Sequence, residues 1–329
     1  MSGEPDLVAA VEQAVRAPSV HNTQPWRWRI HGRGVELYAD PHRHLPATDP
    51  ERRDLVLSCG AALHHLRVVL AAAGHATRVE RTPDPDRSDL LARIELVDGE
   101  PDPADAELFP AIAERRTERR RMSHRPVPPD VIERLAAQAQ RRGALLVPVT
   151  AGPMRARLDR ALAEAEAAQA KVPGYAAELA RWTHRFAGAR DGVDPRTVAA
   201  VPPGLPGRWP LRRFTEAALR QPQQVPAHAV PDDAAEFLVV VTAGDDVVDR
   251  LRAGEATSAV LLAATREGLA TTPLSQGIEV ESTRTAIRRD VLRIPETPQL
   301  IIRVGWPATY ATTLPRTPRR SVDAVLMTG

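Results

Sequence analysis

Apolar residues recur at helical spacing in several parts of this 329-residue chain. In residues 6–16 the side chains of Leu7, Val11 and Val15 fall on one face, and a longer apolar face runs through residues 50–73. Both segments are therefore predicted to be amphipathic helices. The same spacing predicts further helices over about 108–116, 129–142, 153–187, 246–268 and 284–292.

Short alternating or apolar runs between these helices predict β-strands. Residues 26–30 and 35–38 flank a Gly-containing turn and indicate a hairpin. Other strands are predicted over 78–80, 91–97, 237–242, 269–273 and 299–304. Helices and strands do not alternate strictly, so the pattern favours an α+β fold over a parallel α/β fold.

Two features suggest how the chain is divided. The long helices near 50–73 and 246–268 are each followed by glycine and a strand, which suggests two related halves. A Pro/Asp-rich linker at 98–106 separates them, so the predicted halves are 1–107 and 108–329. The stretch 188–231 is dense in Pro, Gly and Arg, and a loop that long in a compact domain is usually functional or mobile.

Composition excludes several classes of protein. The charge balance is 44 − 42 = +2 and 43% of residues are hydrophobic, which does not fit a disordered chain or a bulk polyanion binder. Cys59 is the one cysteine, so neither a disulfide framework nor a multi-thiolate metal site is expected. His64 and His65 lie on other helix faces than Cys59, and no metal is predicted. With neither a signal sequence nor a long apolar stretch recognised, we expect a cytoplasmic protein without nucleic-acid or membrane partners.

Common nucleotide-binding and hydrolase motifs are absent from the sequence. Gly32-Arg-Gly34 lacks the third glycine of the dinucleotide fingerprint and lies on a predicted hairpin turn. GxxxxGK[ST], HExxH and GxSxG do not occur. A catalytic triad or a carboxylate dyad is not evident either.

The segment Pro18-Ser-Val-His-Asn-Thr-Gln-Pro-Trp26 joins the first predicted helix to the first strand. Two prolines stiffen a loop rich in hydroxyl, amide and imidazole groups, which suits recognition of a planar polar ligand at small entropic cost. The alternative is a capped turn whose Asn and Ser side chains satisfy local backbone groups.

Two arginine clusters follow later in the chain. Arg115-Arg-Thr-Glu-Arg-Arg-Arg121 combines guanidinium forks with a hydroxyl, as a phosphate clamp does, although a solvated helix end has the same composition. Arg316-Thr-Pro-Arg-Arg320 is a second basic segment, stiffened by proline. If the two clusters converge, together they could offset the charge of one phosphate monoester.

Taken together, these segments resemble the FMN-dependent nitroreductase superfamily. The Pro18–Trp26 loop is similar to its PSSxNxQPW motif, and Arg115–Arg119 followed by Pro126-Val-Pro is similar to its RRSxR…PVP segment. Thr272–Gln276 resembles the segment along the flavin edge, and Arg316–Arg320 resembles the C-terminal basic segment. The resemblance covers most of the chain and points to the long, single-chain actinobacterial branch.

The distribution of these motifs has a structural implication. In the superfamily two identical subunits build two sites at their interface, each taking the PSSxNxQPW loop from the partner. Here that loop occurs before residue 110 and the other motifs occur after it, each recognised once. The resemblance therefore implies a nitroreductase-like fold with two halves fused as an intramolecular pseudo-dimer. One FMN site is kept and one is lost, and a monomer is expected, with a homodimer also possible.

The resemblance also assigns roles to individual residues. Arginines of both clusters and Thr117 would hold the ribityl phosphate, Ser19 and Asn22 would meet the isoalloxazine ring, and residues 273–276 would run along the ring. The implied FMN-binding residues are Ser19, His21, Asn22, Gln24, Arg115, Thr117, Arg119, Pro273, Leu274, Ser275, Gln276, Arg316 and Arg319. Two departures from the family pattern stand out: Val20 replaces a serine, and Ser275-Gln276 stands where many members have Glu-Gly.

The implied activity is electron transfer through the flavin, which carries the chemistry itself. NADPH or NADH would deliver hydride to flavin N5, and a small conjugated acceptor such as a nitro compound or quinone would then be reduced. No acid or base is required of the protein. Residues 155–231, with Trp182, Phe186, Arg208 and Trp209, are predicted to form a lid. An alternative is an FMN-sequestering or redox-linked binding protein with a closed lid and little turnover, and a further one is a helical interaction protein without flavin.

Overall fold

The computed structural model describes residues 6–183, 185–186, 188–198, 212, 214, 234–308 and 311–327. Up to residue 114 the chain contains α1 (Leu7–Ala14), β1 (Trp26–His31), β2 (Gly34–Ala39), α2 (Arg53–Ala72), β3 (Ala76–Arg81), β4 (Leu90–Val97), α3 (Pro103–Ala106) and α4 (Phe109–Glu114). Beyond it follow α5 (Pro129–Gln140), β5 (Leu145–Val149), α6 (Pro153–Gln169), α7 (Tyr175–Thr183), β6 (Glu236–Thr242), α8 (Val247–Arg266), β7 (Ala270–Leu274), α9 (Gln276–Glu279), α10 (Glu281–Ala286) and β8 (Thr297–Gly305). A wider π-helical segment, Ile287–Leu292, continues α10. The α+β fold class predicted from the sequence is confirmed.

The strands form two antiparallel four-stranded sheets with the same order. The first sheet runs β1-β2-β4-β3 and the second runs β5-β6-β8-β7. Strand β5 was not predicted, because its apolar run Leu145–Val149 is interrupted by Pro148. The structure accommodates this proline because β5 is an edge strand, where a missing backbone N–H is tolerated.

The helix–strand unit after the second strand of each sheet repeats at a constant spacing. Helices α2 and α8 have 20 residues each and begin 247 − 53 = 194 positions apart. Each ends before a left-handed glycine, Gly74 (φ 87°) or Gly268 (φ 76°), a conformation that favours glycine. Strands β3 and β7 then begin at Ala76 and Ala270, again 194 positions apart.

Helices α2 and α8 cross at a pair of glycines that hold reciprocal positions. A Cβ atom on Gly60 would lie 2.2 Å from the carbonyl oxygen of Leu251, and one on Gly254 would lie 2.0 Å from that of Leu57. Both glycines are therefore needed for the backbones to approach this closely. Among the described helices α2 is the one long and apolar enough to cross a membrane, and nearly all of it is buried in the protein core.

The segment predicted as a lid divides into different parts. Helix α6 packs through Leu158 and Leu162 against Phe237 and Ile301 of the second sheet, so it belongs to the core. In α7, Trp182 is buried, whereas Phe186 just beyond it is 73% exposed. The predicted lid residues Arg208 and Trp209 lie outside the described residues, as does most of the stretch between 199 and 233.

Candidate functional site

The loop between α1 and β1 has an unusual backbone. His21, Asn22 and Gln24 all have positive φ angles, of 46°, 54° and 52°. Non-glycine residues adopt this conformation at an energetic cost, which the surrounding structure has to offset. Part of the polar content serves the turn itself, since the Gln24 backbone N–H donates to Ser19 Oγ at 2.9 Å and Thr23 Oγ1 donates to the Val20 carbonyl at 2.9 Å.

Two amide side chains of this loop attach it to distant parts of the chain. Gln24 is fully buried, donates from Nε2 to the Arg190 carbonyl at 2.8 Å and accepts the Arg320 backbone N–H on Oε1 at 2.8 Å. Asn22 Nδ2 donates to the carbonyls of Gly192 (3.1 Å) and Pro318 (3.2 Å). Gln24 lines neither cavity of the site, so its visible role is to bind the loop to these two segments.

A cavity of about 480 Å³ opens beside the loop. Its walls come from α1 and the loop that follows it, from α4 and the segment after it, from residues 190–197 and from the C-terminal segment 314–323. Both arginine clusters reach it. The sequence-predicted site residues on its wall are Ser19, His21, Asn22, Arg115, Thr117, Arg119, Arg316 and Arg319.

Three guanidinium groups at this cavity carry charge without an acidic partner. Within the described part of the chain, Arg115, Arg119 and Arg319 form no ion pair with a carboxylate. Burial lowers the pKa of Arg115 and of Arg119 to about 10 each, and burial beside Arg115 and Arg116 lowers that of Arg319 to about 9. Arg115 Nε and Nη1 and Arg319 Nε find no hydrogen-bond partner among the described atoms. Because buried charges are normally paired, this arrangement favours a bound anion.

A second cavity, of about 120 Å³, adjoins the first. The two share Pro18, Ser19, His21, Thr117 and Arg119 on their walls. The sequence-predicted residues Pro273, Leu274, Ser275 and Gln276 line the second cavity, where β7 ends and α9 begins. The structure thus places every predicted site residue except Gln24 on one of two adjoining cavities.

His21 lies between the two cavities as a neutral group. Burial and the nearby Arg212 lower its pKa to about 3, and neither ring nitrogen has a hydrogen-bond partner among the described residues. Its ring meets Phe214 edge-on, with centroids 5.9 Å apart. An imidazole with two free nitrogens at a cavity wall can accept or donate a hydrogen bond to a ligand.

Sequence reasoning missed several polar residues on the second cavity. Asp54 and Ser58 of α2, Thr257 of α8 and Arg212 line it as well. The expectation that the chain has no carboxylate dyad is wrong, because the Asp54 carboxyl lies against that of Glu279. No periodic sequence pattern could indicate this pair, because the two residues are 225 positions apart and are brought together only by the tertiary fold.

The two cavities together suit an elongated ligand with one anionic end. The guanidinium cluster can hold a phosphate, and Thr117 adds a hydroxyl beside it. The second cavity combines apolar walls from Leu57, Leu274 and Leu300 with polar groups at its edge. A planar ring with a polar edge matches that lining.

The sequence matches the Nitroreductase family over residues 112–306. The Mycobacterium tuberculosis (strain H37Rv) protein named "Putative NAD(P)H nitroreductase Rv3131" is 43% identical over 314 residues, covering 95% of this chain and 88% of that protein. A second protein of that strain, named "Putative NAD(P)H nitroreductase acg", is 35% identical over 328 residues, covering 97% of this chain and 94% of its own length.

Among solved structures, the FMN-dependent nitroreductase NfnB from Mycobacterium smegmatis, in complex with NADPH, is similar over 68% of this chain and 99% of its own. Its TM-score is 0.41 and its identity 15%. The Bacteroides fragilis nitroreductase with bound FMN covers 65% of this chain and 95% of its own, with a TM-score of 0.41 and 13% identity. These two likenesses are distant, and the family match and the curated relatives carry the assignment.

Proposed function

This chain belongs to the Nitroreductase family, and from that premise we propose that it binds FMN and transfers two electrons from NADPH or NADH to a small conjugated acceptor. The observation that carries the proposal is the set of three guanidinium groups, those of Arg115, Arg119 and Arg319, that line the first cavity without a carboxylate partner among the described residues. FMN is a dianion at one end and a planar ring at the other, which matches the two cavities in order.

The residues have distinct parts in this proposal. Arg115, Arg119 and Arg319 hold the phosphate, and Thr117 donates its hydroxyl nearby. Arg316 is exposed at the rim of the first cavity, where it adds charge at the entrance. The cost of burying these positive charges is already present in the free protein. Neutralising them with a phosphate therefore supplies much of the free energy of FMN binding.

Residues from both halves of the chain would enclose the ring. Ser19, His21 and Asn22 approach from the first half, and residues 273–276 approach from the second. FMN, when bound, supplies the hydride-transfer chemistry. The protein positions it, restricts water and leaves room for a nicotinamide or an acceptor, one after the other.

We infer further that the chain is a fused pseudo-dimer. The equal strand orders, the repeat of 194 residues and the reciprocal crossing of Gly60 and Gly254 support this. A related contact is that of His64 Nδ1 with Ser258 Oγ at 2.8 Å, since these positions are also 194 apart. His64 in α2 and Ser258 in α8 are therefore equivalent positions, and they meet because the two helices are related by an approximate two-fold axis.

The same repeat explains why one flavin site is expected instead of two. The loop of residues 15–25 has a counterpart of only four residues, 141–144, between α5 and β5. At the position equivalent to Ser275 stands Arg81, and its guanidinium donates to the fully buried Glu255 at 2.7 and 3.0 Å. Glu255 is in turn equivalent to Ala61 on the wall of the second cavity. An ion pair with a fully buried carboxylate therefore stands at positions equivalent to the wall of the second cavity, which supports the proposal of a single flavin site.

Reduction assays with the purified protein test the proposed activity. We expect it to retain FMN and to oxidise NADPH or NADH in the presence of a nitrofuran or a quinone. Arg134→Met is the matched control for arginine variants of the site, because Arg134 is exposed and bonded to Asp130 and Glu267 on the surface. A protein that takes up no flavin would refute the proposal.

A second candidate is an FMN-sequestering protein with little turnover, and one contact network favours it. Asp191 is ion-paired with Arg43 and Arg185, and the neighbouring carbonyls of residues 190 and 192 bond the loop. The segment is thus fastened across the first cavity. If the fastened segment limits turnover of an active reductase, Asp191→Asn should raise kcat severalfold and accelerate FMN release. If the protein sequesters FMN, the same variant should release FMN faster while its turnover stays negligible.

A further inference from the structure

One buried carboxyl group on the wall of the second cavity is incompletely hydrogen-bonded within the described residues. Asp54 is 4% exposed, and its Oδ2 finds no hydrogen-bond partner in the described part of the chain. The same side chain lines the cavity proposed for the planar ring and the acceptor. An unpartnered polar atom in such a place points to a ligand, because burial of a polar group without a hydrogen bond is costly.

The neighbouring carboxylate, that of Glu279, is fully occupied by donors. Ser275 Oγ donates to its Oε1 at 2.6 Å, Arg212 donates to the same oxygen, and Gln169 Nε2 donates to Oε2. Burial alone would raise the pKa of Glu279, but Arg212 and these hydrogen bonds more than offset it, so the pKa is lowered. Glu279 is therefore a fixed negative charge beside Asp54.

The titratable groups described around Asp54 differ in the charge they carry. Burial raises the pKa of Asp49 to about 7, although its carboxyl accepts the backbone N–H groups of Arg53 (2.7 Å) and Leu55 (2.9 Å) at the start of α2. His21 is neutral, and Arg212 is committed to Glu279 and to the Tyr175 hydroxyl (2.7 Å). Burial, then Glu279 and Asp49, raise the pKa of Asp54 well above its usual range.

We propose that Asp54 donates the proton that the acceptor takes up when it is reduced, and that Glu279 keeps Asp54 protonated between turnovers. This inference rests on the function proposed above. Reduction of a quinone to a hydroquinone consumes one hydride and one proton. With FMN bound, NADPH would supply the hydride; the proton would leave the Asp54 carboxylic acid, and solvent would return a proton to the resulting carboxylate. The sum is NADPH plus H⁺ plus quinone, giving NADP⁺ plus hydroquinone.

Among the described residues at this cavity, Asp54 is suited to proton donation because its raised pKa favours the protonated carboxylic acid. An acid that donates during turnover works best when its pKa lies near the working pH, where it is protonated yet able to release the proton. Glu279 has no proton to give, and His21 gains one only in strong acid. A protonated Asp54 is therefore the carboxylic acid from which this cavity can supply the proton.

The test compares acceptors that do and do not need a proton, using Asp54→Asn in the FMN-loaded protein. A quinone takes a hydride and a proton, whereas ferricyanide takes an electron and no proton. We expect Asp54→Asn to reduce quinone about 10²-fold more slowly than wild type, as loss of a general acid typically does. We expect ferricyanide reduction and flavin reduction by NADPH to change less than about twofold, because neither needs this proton.

Two further variants separate proton donation from structural damage. Glu51→Gln is the matched control, because Glu51 is exposed near the start of α2 and lines neither cavity. In Glu279→Gln, a negative charge beside Asp54 is removed, so the pKa of Asp54 falls. As pH rises, this variant should therefore lose quinone reduction at a lower pH than wild type does. In flavin-free protein, the infrared difference between wild type and Asp54→Asn at neutral pH should contain the carbonyl stretch of a protonated acid, which the Glu51→Gln difference lacks.

The outcomes are distinguishable. Equal losses with quinone and ferricyanide, or no loss with either, would overturn the role of Asp54, and so would the absence of the protonated-acid band. A wild-type protein that fails to bind FMN or to reduce ferricyanide with NADPH would instead refute the proposed function itself.

Discussion

Replacing Arg115 with methionine should change the stability of the free protein and its affinity for FMN in opposite directions. Burial beside Arg116 and Arg119 lowers the pKa of Arg115 from 12.5 to about 10, so its ionised form is disfavoured by about 3 kcal/mol in the free protein. Methionine fills a similar volume without charge. We expect Arg115→Met to raise the free energy of unfolding of the flavin-free protein by about 1–2 kcal/mol. Replacing buried charged groups with apolar side chains of similar volume often stabilises a protein.

The same substitution should weaken FMN binding. A hydrogen bond to a charged group contributes about 1.5–3 kcal/mol, so the Kd should rise about 10- to 100-fold. The pKa of Arg115 is lower in the folded protein than in the unfolded chain. The free-energy cost of holding its charge in the folded protein is therefore present at every pH below about 10 and decreases above it. The stability gain should therefore be constant between about pH 6 and pH 9.

Urea unfolding of flavin-free protein and titration with FMN measure the two effects separately. Arg134→Met, which removes an exposed arginine, should leave the Kd unchanged and alter stability by less than about 1 kcal/mol. If Arg115→Met destabilises the free protein, or if FMN binds it as tightly as wild type, the assignment of the arginine cluster to phosphate is wrong.

Three more predictions follow from the structure. The ring of His21 should not titrate between about pH 5 and pH 8 by NMR, because its pKa is lowered to about 3; a midpoint near the ordinary histidine value would contradict its burial. Since neutral His21 becomes charged far more readily in the unfolded chain, its contribution to stability should be lost as pH falls from about 6.5 towards 3. Gly60→Ala and Gly254→Ala should each destabilise the fold by about 3 kcal/mol in urea titrations, because each new methyl meets a carbonyl of the opposite helix; an unchanged midpoint for either would show that the helices can separate. Glu255→Ala should cost about 1.5–3 kcal/mol without adding a second flavin, since it leaves the partly exposed guanidinium groups of Arg81 and Arg67 without this carboxylate; binding of two flavins would show that the ion pair alone blocks a second site.

Local patterns were enough for most of the secondary structure and for the cavity-lining motifs. Helices α2 and α8 have long apolar faces, and their sequence signal is strong because nearly all of α2 and more than half of α8 are buried. Strand β5 was missed because a proline in a short run weakens the strand pattern. The loop 18–26 was identified from its unusual polar content, and its left-handed residues reflect constraints from distant segments that no local pattern encodes.

The residues that the sequence did not reveal are those defined by tertiary contacts. Asp54 looks like an ordinary acidic residue in the first turn of a helix, and its position on a cavity depends on the crossing of α2 over α8. Glu279 follows the predicted flavin-edge segment, yet its partner Arg212 is 67 residues away. Gln24 is a different case: the motif implies a contact with the cofactor, whereas the hydrogen bonds seen in the structure join the loop to Arg190 and Arg320.

The ratio of FMN to protein in the purified chain tests the central claim most directly. One intact cavity pair, a shortened counterpart of the loop and a buried Arg81–Glu255 ion pair at the equivalent position predict a flavin absorption spectrum with one FMN per chain. A ratio near two would contradict the loss of the second site. A colourless protein that takes up no added FMN would contradict the assignment of the arginine cluster and of the function built on it.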